Sequence, residues 1–206
     1  LPVIFFGIFL TLAFSFTGIV LGSYLQLGDI KPVATEDGQL PQPMQKVGAA
    51  QQGREVYTDL GCVYCHSQQV RRKGYGADWE RGWGNRQTVP RDYIYEPRVM
   101  LGTSRTGPDL MTIGQRQPSA DWHHLHLYNP QITSPGSLMP PFGYLYRLEK
   151  IQGEPSPDAL SIPDSHPESQ PPPGYQIVPG PRAKALVAYL QSLKLNYELP
   201  EAKFSE

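Results

Sequence analysis

The chain has 206 residues, with 18 Lys and Arg against 19 Asp and Glu, 22 Pro, 20 Gly and only two Cys. That length allows one ordinary domain, usually about 100–150 residues, plus further segments. A net charge of −1 gives no electrostatic reason to expect nucleic acid as a partner, and two cysteines are too few for a disulfide scaffold or a Cys-only zinc site.

Residues 1–28 carry no charge at all and hold five of the seven Phe. A membrane-spanning helix needs about 20 apolar residues to cross a hydrocarbon core about 30 Å thick. At 1.5 Å per residue this stretch reaches roughly 40 Å. The apolar region of a secretory signal is shorter, about 7–15 residues, so the expectation is a transmembrane anchor. Gly7, Thr11, Ser15, Gly18 and Gly22 recur at helical spacing. Small residues let membrane helices approach closely, so this face is expected to pack on the transmembrane helices of partner subunits.

Residues 29–46, with Pro32, Pro41 and Pro43, read as a linker. Gly48–Leu60 has the pattern of a short helix that Gly61 ends. Residues 67–107 are polar, rich in Gly and Arg and without period, and are expected to form a loop insertion. Within them, 71–105 hold eight basic and four acidic residues. Ser119 is placed to cap a helix that Pro130 stops. Residues 153–181 contain nine Pro and little apolar material, which predicts an extended excursion on the surface rather than core. From Pro181, the residues Ala185, Leu186, Tyr189, Leu190 and Leu193 share one helical face. The domain is thus expected to span 47–196, with 197–206 as a tail.

Both cysteines lie in Cys62-Val63-Tyr64-Cys65-His66. CxxCH is the attachment signature of c-type haem: each thiol can form a thioether to a vinyl group, and the adjacent His then meets the iron. A redox dithiol does not require the His, and zinc needs two further ligands. The order helix, motif, loop, helix resembles class I c-type cytochromes, which implies an all-α fold around one haem.

His/Met ligation suits electron transfer. In this class the sixth ligand comes from a loop after the motif, which sets Met44 aside. Met139 is followed by Pro140 and Pro141 and precedes the last helix, and its thioether is soft enough for haem iron. Met100 and Met111 read as packing residues. His123, His124 and His126 are alternative ligands, but such His more often hydrogen-bond to backbone or line an interface, and His166 reads as solvated. Arg71, Arg72 and Arg105 are candidates to pair with haem propionates, which the guanidinium fork does well.

Gly61–Gln68, Gly102–Leu110 (GTSRTGPDL), Asp121–Pro130 (DWHHLHLYNP) and Met139-Pro140, together with the anchor, resemble the monohaem cytochrome c subunit of cbb₃-type cytochrome c oxidase. The likeness covers residues 1–145 and the last helix. It implies that the Pro108 carbonyl accepts a hydrogen bond from the His66 ring. It also implies a subunit that relays single electrons, without bond chemistry of its own. They would come from another cytochrome c subunit or a soluble cytochrome c and pass to a haem–copper catalytic subunit that reduces oxygen to water. The expected location is the bacterial inner membrane, with the haem domain periplasmic. A cytochrome c subunit of nitric oxide reductase shares the anchor and single haem, and a haem-based sensor would leave the sixth position open.

Overall fold

The computed structural model describes residues 1–34, 38, 40–102 and 104–204. Thr103 of the GTSRTGPDL segment, part of the 29–46 linker and the last two residues lie outside the described residues. The chain divides into two compact units.

The first unit comprises Leu1–Met44 and Val89–Pro97. It contains one long apolar helix, α1 (Pro2–Leu27), with none of it buried. Its 26 residues are long and apolar enough to cross a membrane. A wide π-helical turn interrupts it at Phe16–Leu21, and the Thr11 hydroxyl is satisfied on the Gly7 carbonyl at 2.9 Å. Beyond the helix, Val33 and Gln42 exchange backbone bonds at 2.9 Å. Arg91 donates to the Lys31 carbonyl.

The second unit comprises Gln45–Thr88 and Arg98–Glu206. Its frame is a crossing of α2 (Ala49–Asp59) with the last helix, α6 (Pro181–Ser192). Gly53 sits at the crossing, where a Cβ would come within 1.9 Å of the Ala185 carbonyl oxygen. The lack of a side chain is what lets the helices meet, and Tyr57 packs edge-on against Tyr189 at 5.4 Å. Leu186, Tyr189 and Leu190 of α6 are buried in the core, each contributing roughly 1.5–3 kcal/mol. Three short helices complete the α part: α3 (Ile113–Arg116), α4 (Ala120–Tyr128) and α5 (Pro130–Thr133). Ser119 caps α4 by accepting from the Trp122 amide at 3.2 Å. Pro130 both follows the end of α4 and opens α5, where its missing N–H costs nothing.

An all-α fold describes the molecule only in part. Strands β1 (Tyr146–Lys150) and β2 (Tyr175–Pro179) form an antiparallel pair, with Leu148 opposite Ile177. The Pro-rich stretch 153–181 is therefore not merely a surface excursion. Ile162 joins the core from its middle and Ile177 from β2, because the YQIVP run carries β-branched residues that its four flanking prolines do not break. The 67–107 stretch has little regular structure, yet it buries Val70, Asp78, Trp83 and Arg86. Residues 195–202 also pack rather than trail: Leu195 and Leu199 are fully buried, and the Tyr197 carbonyl accepts from Arg86 at 3.0 Å.

Candidate haem site

The helix α2 ends at Leu60, and the chain turns through a single 3₁₀ turn at Cys62–Tyr64. This short turn holds Cys62, Cys65 and His66 on one side of a cavity of about 550 Å³, inside the usual range of about 300–1,000 Å³ for ligand sites. Leu110, Ile113, Leu127, Phe142, Leu186 and Leu190 form apolar parts of its wall. The Ser134–Pro140 loop, with Met139, supplies another part. Among the described residues, no Asp, Glu, Lys or Arg lines the cavity.

The imidazole of His66 is oriented. Its Nδ1 lies 2.8 Å from the Pro108 carbonyl oxygen. A carbonyl can only accept, so Nδ1 carries the proton and Nε2 keeps its lone pair. Burial also holds the ring below the usual histidine range, which favours the neutral form. Gly107 is required beside it: a Cβ there would fall 2.2 Å from Cε1 and 2.6 Å from Nδ1. Both terminal helices brace the segment. Tyr57 of α2 donates to the His66 carbonyl at 3.3 Å, and Tyr189 of α6 to the Gln68 side chain at 3.0 Å.

Burial pushes the Cys62 thiol up to about 11. A redox dithiol relies on an activated thiol of lowered pKa, and Cys62 is shifted the other way. On the other wall, the Met139 amide accepts its place in the loop by donating to Ser137 Oγ at 3.2 Å.

Of the residues singled out from sequence, Cys62, Cys65, His66, Pro108 and Met139 all line the cavity. Arg105 does not. Its guanidinium is drawn to Asp78, at 2.9 Å, and to Ser67 Oγ, at 2.8 Å, and its face covers the Trp83 ring at 5.2 Å. Arg71 is likewise paired with Asp78, at 2.7 Å. His123 is buried and donates to the Gln117 carbonyl at 2.8 Å. His124 meets the Tyr146 hydroxyl at 3.2 Å. Both His123 and His126 line the cavity, and sequence reasoning undervalued them. The Nδ1 of His126 is 2.6 Å from Thr133 Oγ1, and its ring stacks on Trp122 at 4.8 Å. Burial lowers it to about 4, with the nearby His66 and His123 adding to the effect.

A family model described as "Cytochrome C oxidase, mono-heme subunit/FixO" matches residues 4–162. The chain belongs to this family. It is thus a mono-haem, electron-transfer subunit of a cytochrome c oxidase, and it works within a complex with other subunits. The matched region runs from the apolar helix through the cavity loop and stops before α6. No curated protein matches the chain.

One haem is therefore implied, and the residues present fit it. The cavity is uncharged and large enough, a glycine leaves room for an oriented imidazole, and a neutral nitrogen and a thioether are among its soft donors.

Proposed function

We propose that this subunit of the mono-heme subunit/FixO family holds one covalently attached haem c and relays single electrons to a haem–copper catalytic subunit that reduces oxygen to water. Electrons would arrive from another cytochrome c subunit or a soluble cytochrome c. The observation that carries the reading is the His66 imidazole, held through Nδ1 on Pro108 at 2.8 Å in a cavity that Cys62, Cys65 and Met139 also line.

When bound, the haem supplies a one-electron iron couple. Cys62 and Cys65 would hold it through two thioethers, separated by the three-residue step that the turn enforces. His66 would hold the iron through its neutral Nε2 and Met139 through its thioether, which would leave no open position for a substrate. The apolar wall excludes water, so the chain's own residues contribute binding, orientation and a low-polarity setting rather than acid–base steps. The helix α1 would anchor the domain in the bacterial inner membrane, with the haem domain on the periplasmic side. Its small-residue face would pack on partner helices.

Covalent attachment is tested by haem staining after denaturing electrophoresis. A stained band at the mass of this chain that disappears in the Cys62→Ala, Cys65→Ala variant is expected. Haem that leaves the wild-type chain on denaturation overturns the reading. In the intact complex, the reduced haem should be reoxidised by oxygen, whereas the isolated subunit should be neither reoxidised rapidly nor bound by carbon monoxide. Rapid carbon monoxide binding to the isolated subunit would show an open sixth position and defeat the His66–Met139 assignment.

A further inference from the structure

Asp109 follows Pro108, the residue whose carbonyl orients His66, and it is fully buried at 0% exposure. It accepts from two segments of chain: the Ser67 hydroxyl at 2.6 Å, the Gln69 amide at 2.7 Å and the Met111 amide at 2.8 Å. Ser67 Oγ in turn accepts from Arg105 Nε at 2.8 Å, so its own proton must point to Asp109. Every one of these contacts to the carboxyl group is therefore a donor, the arrangement that an ionised carboxylate takes, and they oppose the burial that pushes the Asp109 carboxyl above its ordinary range. The Arg105 guanidinium lies 3.7 Å away and supplies the opposite charge. Arg105 reaches that position with a left-handed backbone (φ 50), a conformation uncommon outside glycine.

These bonds cross-link the two segments that carry the imidazole and its carbonyl partner. Gly107 donates to the Cys65 carbonyl at 2.9 Å, and Leu110 to the Ser67 carbonyl at 2.8 Å. The His66–Pro108 contact lies between them. The donors occupy both carboxyl oxygens, Met111 on one and Ser67 and Gln69 on the other, so a neutral amide with a single oxygen would join the segments only in part, and the desolvation cost of the buried carboxylate needs this pairing. The additional property that the charge confers is a field. Asp109 adjoins Pro108, whose carbonyl accepts from His66 Nδ1, so its negative charge lies near the protonated edge of the ring and favours positive charge there.

We propose that Asp109 is a positioning residue of the electron-transfer site: its buried carboxylate fixes the Pro108 carbonyl on His66 and favours the oxidised iron, with Arg105 moderating its charge. This rests on the reading of His66 as an iron ligand. An anion behind an axial ligand stabilises the more positive oxidation state, and an oriented imidazole is the more basic ligand. Both effects lower the reduction potential.

The test is an optical redox titration of the haem in the intact complex, for wild type, Asp109→Asn and Arg105→Gln. Asp109→Asn should shift the ferrous-to-ferric ratio about tenfold toward ferrous at fixed potential, an upward move of about 59 mV for a one-electron couple. Arg105→Gln leaves the carboxylates less compensated and should shift the ratio about threefold the other way, or ~28 mV. Simple loosening of the site would move both variants in one direction. Shifts of the same sign, or shifts under about twofold (~18 mV) in both, overturn the proposal. If Asp109→Asn does not assemble with haem, the sign in Arg105→Gln decides: downward supports the proposal, and upward or unchanged overturns it. His66→Ala separates the two levels. An unchanged low-spin spectrum would defeat the ligand reading itself, whereas its loss supports that reading and leaves the Asp109 result to stand alone.

Discussion

The two sides of the cavity are built differently. On the His66 side, segments 65–69 and 107–111 are joined by backbone bonds and by a buried carboxylate that accepts from both. On the Met139 side, the 134–140 loop is held by short-range bonds, Ser137 to the Ser134 carbonyl at 3.0 Å and Met139 to Ser137 Oγ at 3.2 Å. Its two ends are moored, by His126 on Thr133 and by the Phe142 amide on the Leu127 carbonyl at 2.8 Å. Leu138, beside Met139, is 90% exposed. One side is cross-braced over about forty residues of chain and fixes a ring; the other is tethered at its ends and lets a flexible thioether find its place.

The sharpest way to break the braced side is Gly107→Ala. The added Cβ, 2.2 Å from His66 Cε1, meets a ring that the Pro108 bond does not allow to retreat. Loss of the low-spin haem spectrum is expected, with destabilisation of about 3 kcal/mol measured by denaturant unfolding. A variant of normal spectrum and stability would show that the brace yields.

Met139→Ala tests the tethered side. The haem should stay covalently attached and the fold should lose only about 1–2 kcal/mol, because Met139 is only partly buried. The reduced subunit should now bind carbon monoxide. Failure to bind would mean that another residue holds the sixth position, with His126 the first to examine.

A third effect concerns acid. His126 is held to about 4 in the folded chain, against roughly 6.5 for an unfolded histidine. The unfolded state binds more protons between these values, so stability is fully present above about pH 6.5 and is lost as pH falls toward 4. The loss should be at most about 3 kcal/mol. His126→Phe should flatten that part of the unfolding profile, and an unchanged slope would assign it to His123 or His124, which burial lowers as well.

What the sequence made legible was local. The helices around Glu55 and Leu186, the Ser119 cap and the Cys62–His66 turn follow from periodicity, capping chemistry and spacing within a few residues. Met139 and Pro108 were reached through the order of segments and a family likeness. The strand Tyr175–Pro179 was hidden because its partner lies about thirty residues earlier and prolines surround it. The ion pair of Arg105 was hidden for the same reason: its partner Asp78 is 27 residues distant. Gly107 and Asp109 stood in the recognised segment, but nothing local shows that one clears a ring and the other ties two stretches of chain.

The uncharged lining also bears on how the site responds to its medium. With no Asp, Glu, Lys or Arg among the described residues around the cavity, dissolved ions have no charged wall to screen there, and the Asp109 carboxyl is fully buried. The lining itself would add no salt-dependent attraction to an electron exchanged through that wall, and any steering would come from charges elsewhere on the surface. At that wall, the rate of such a step would be set by contact distance and packing.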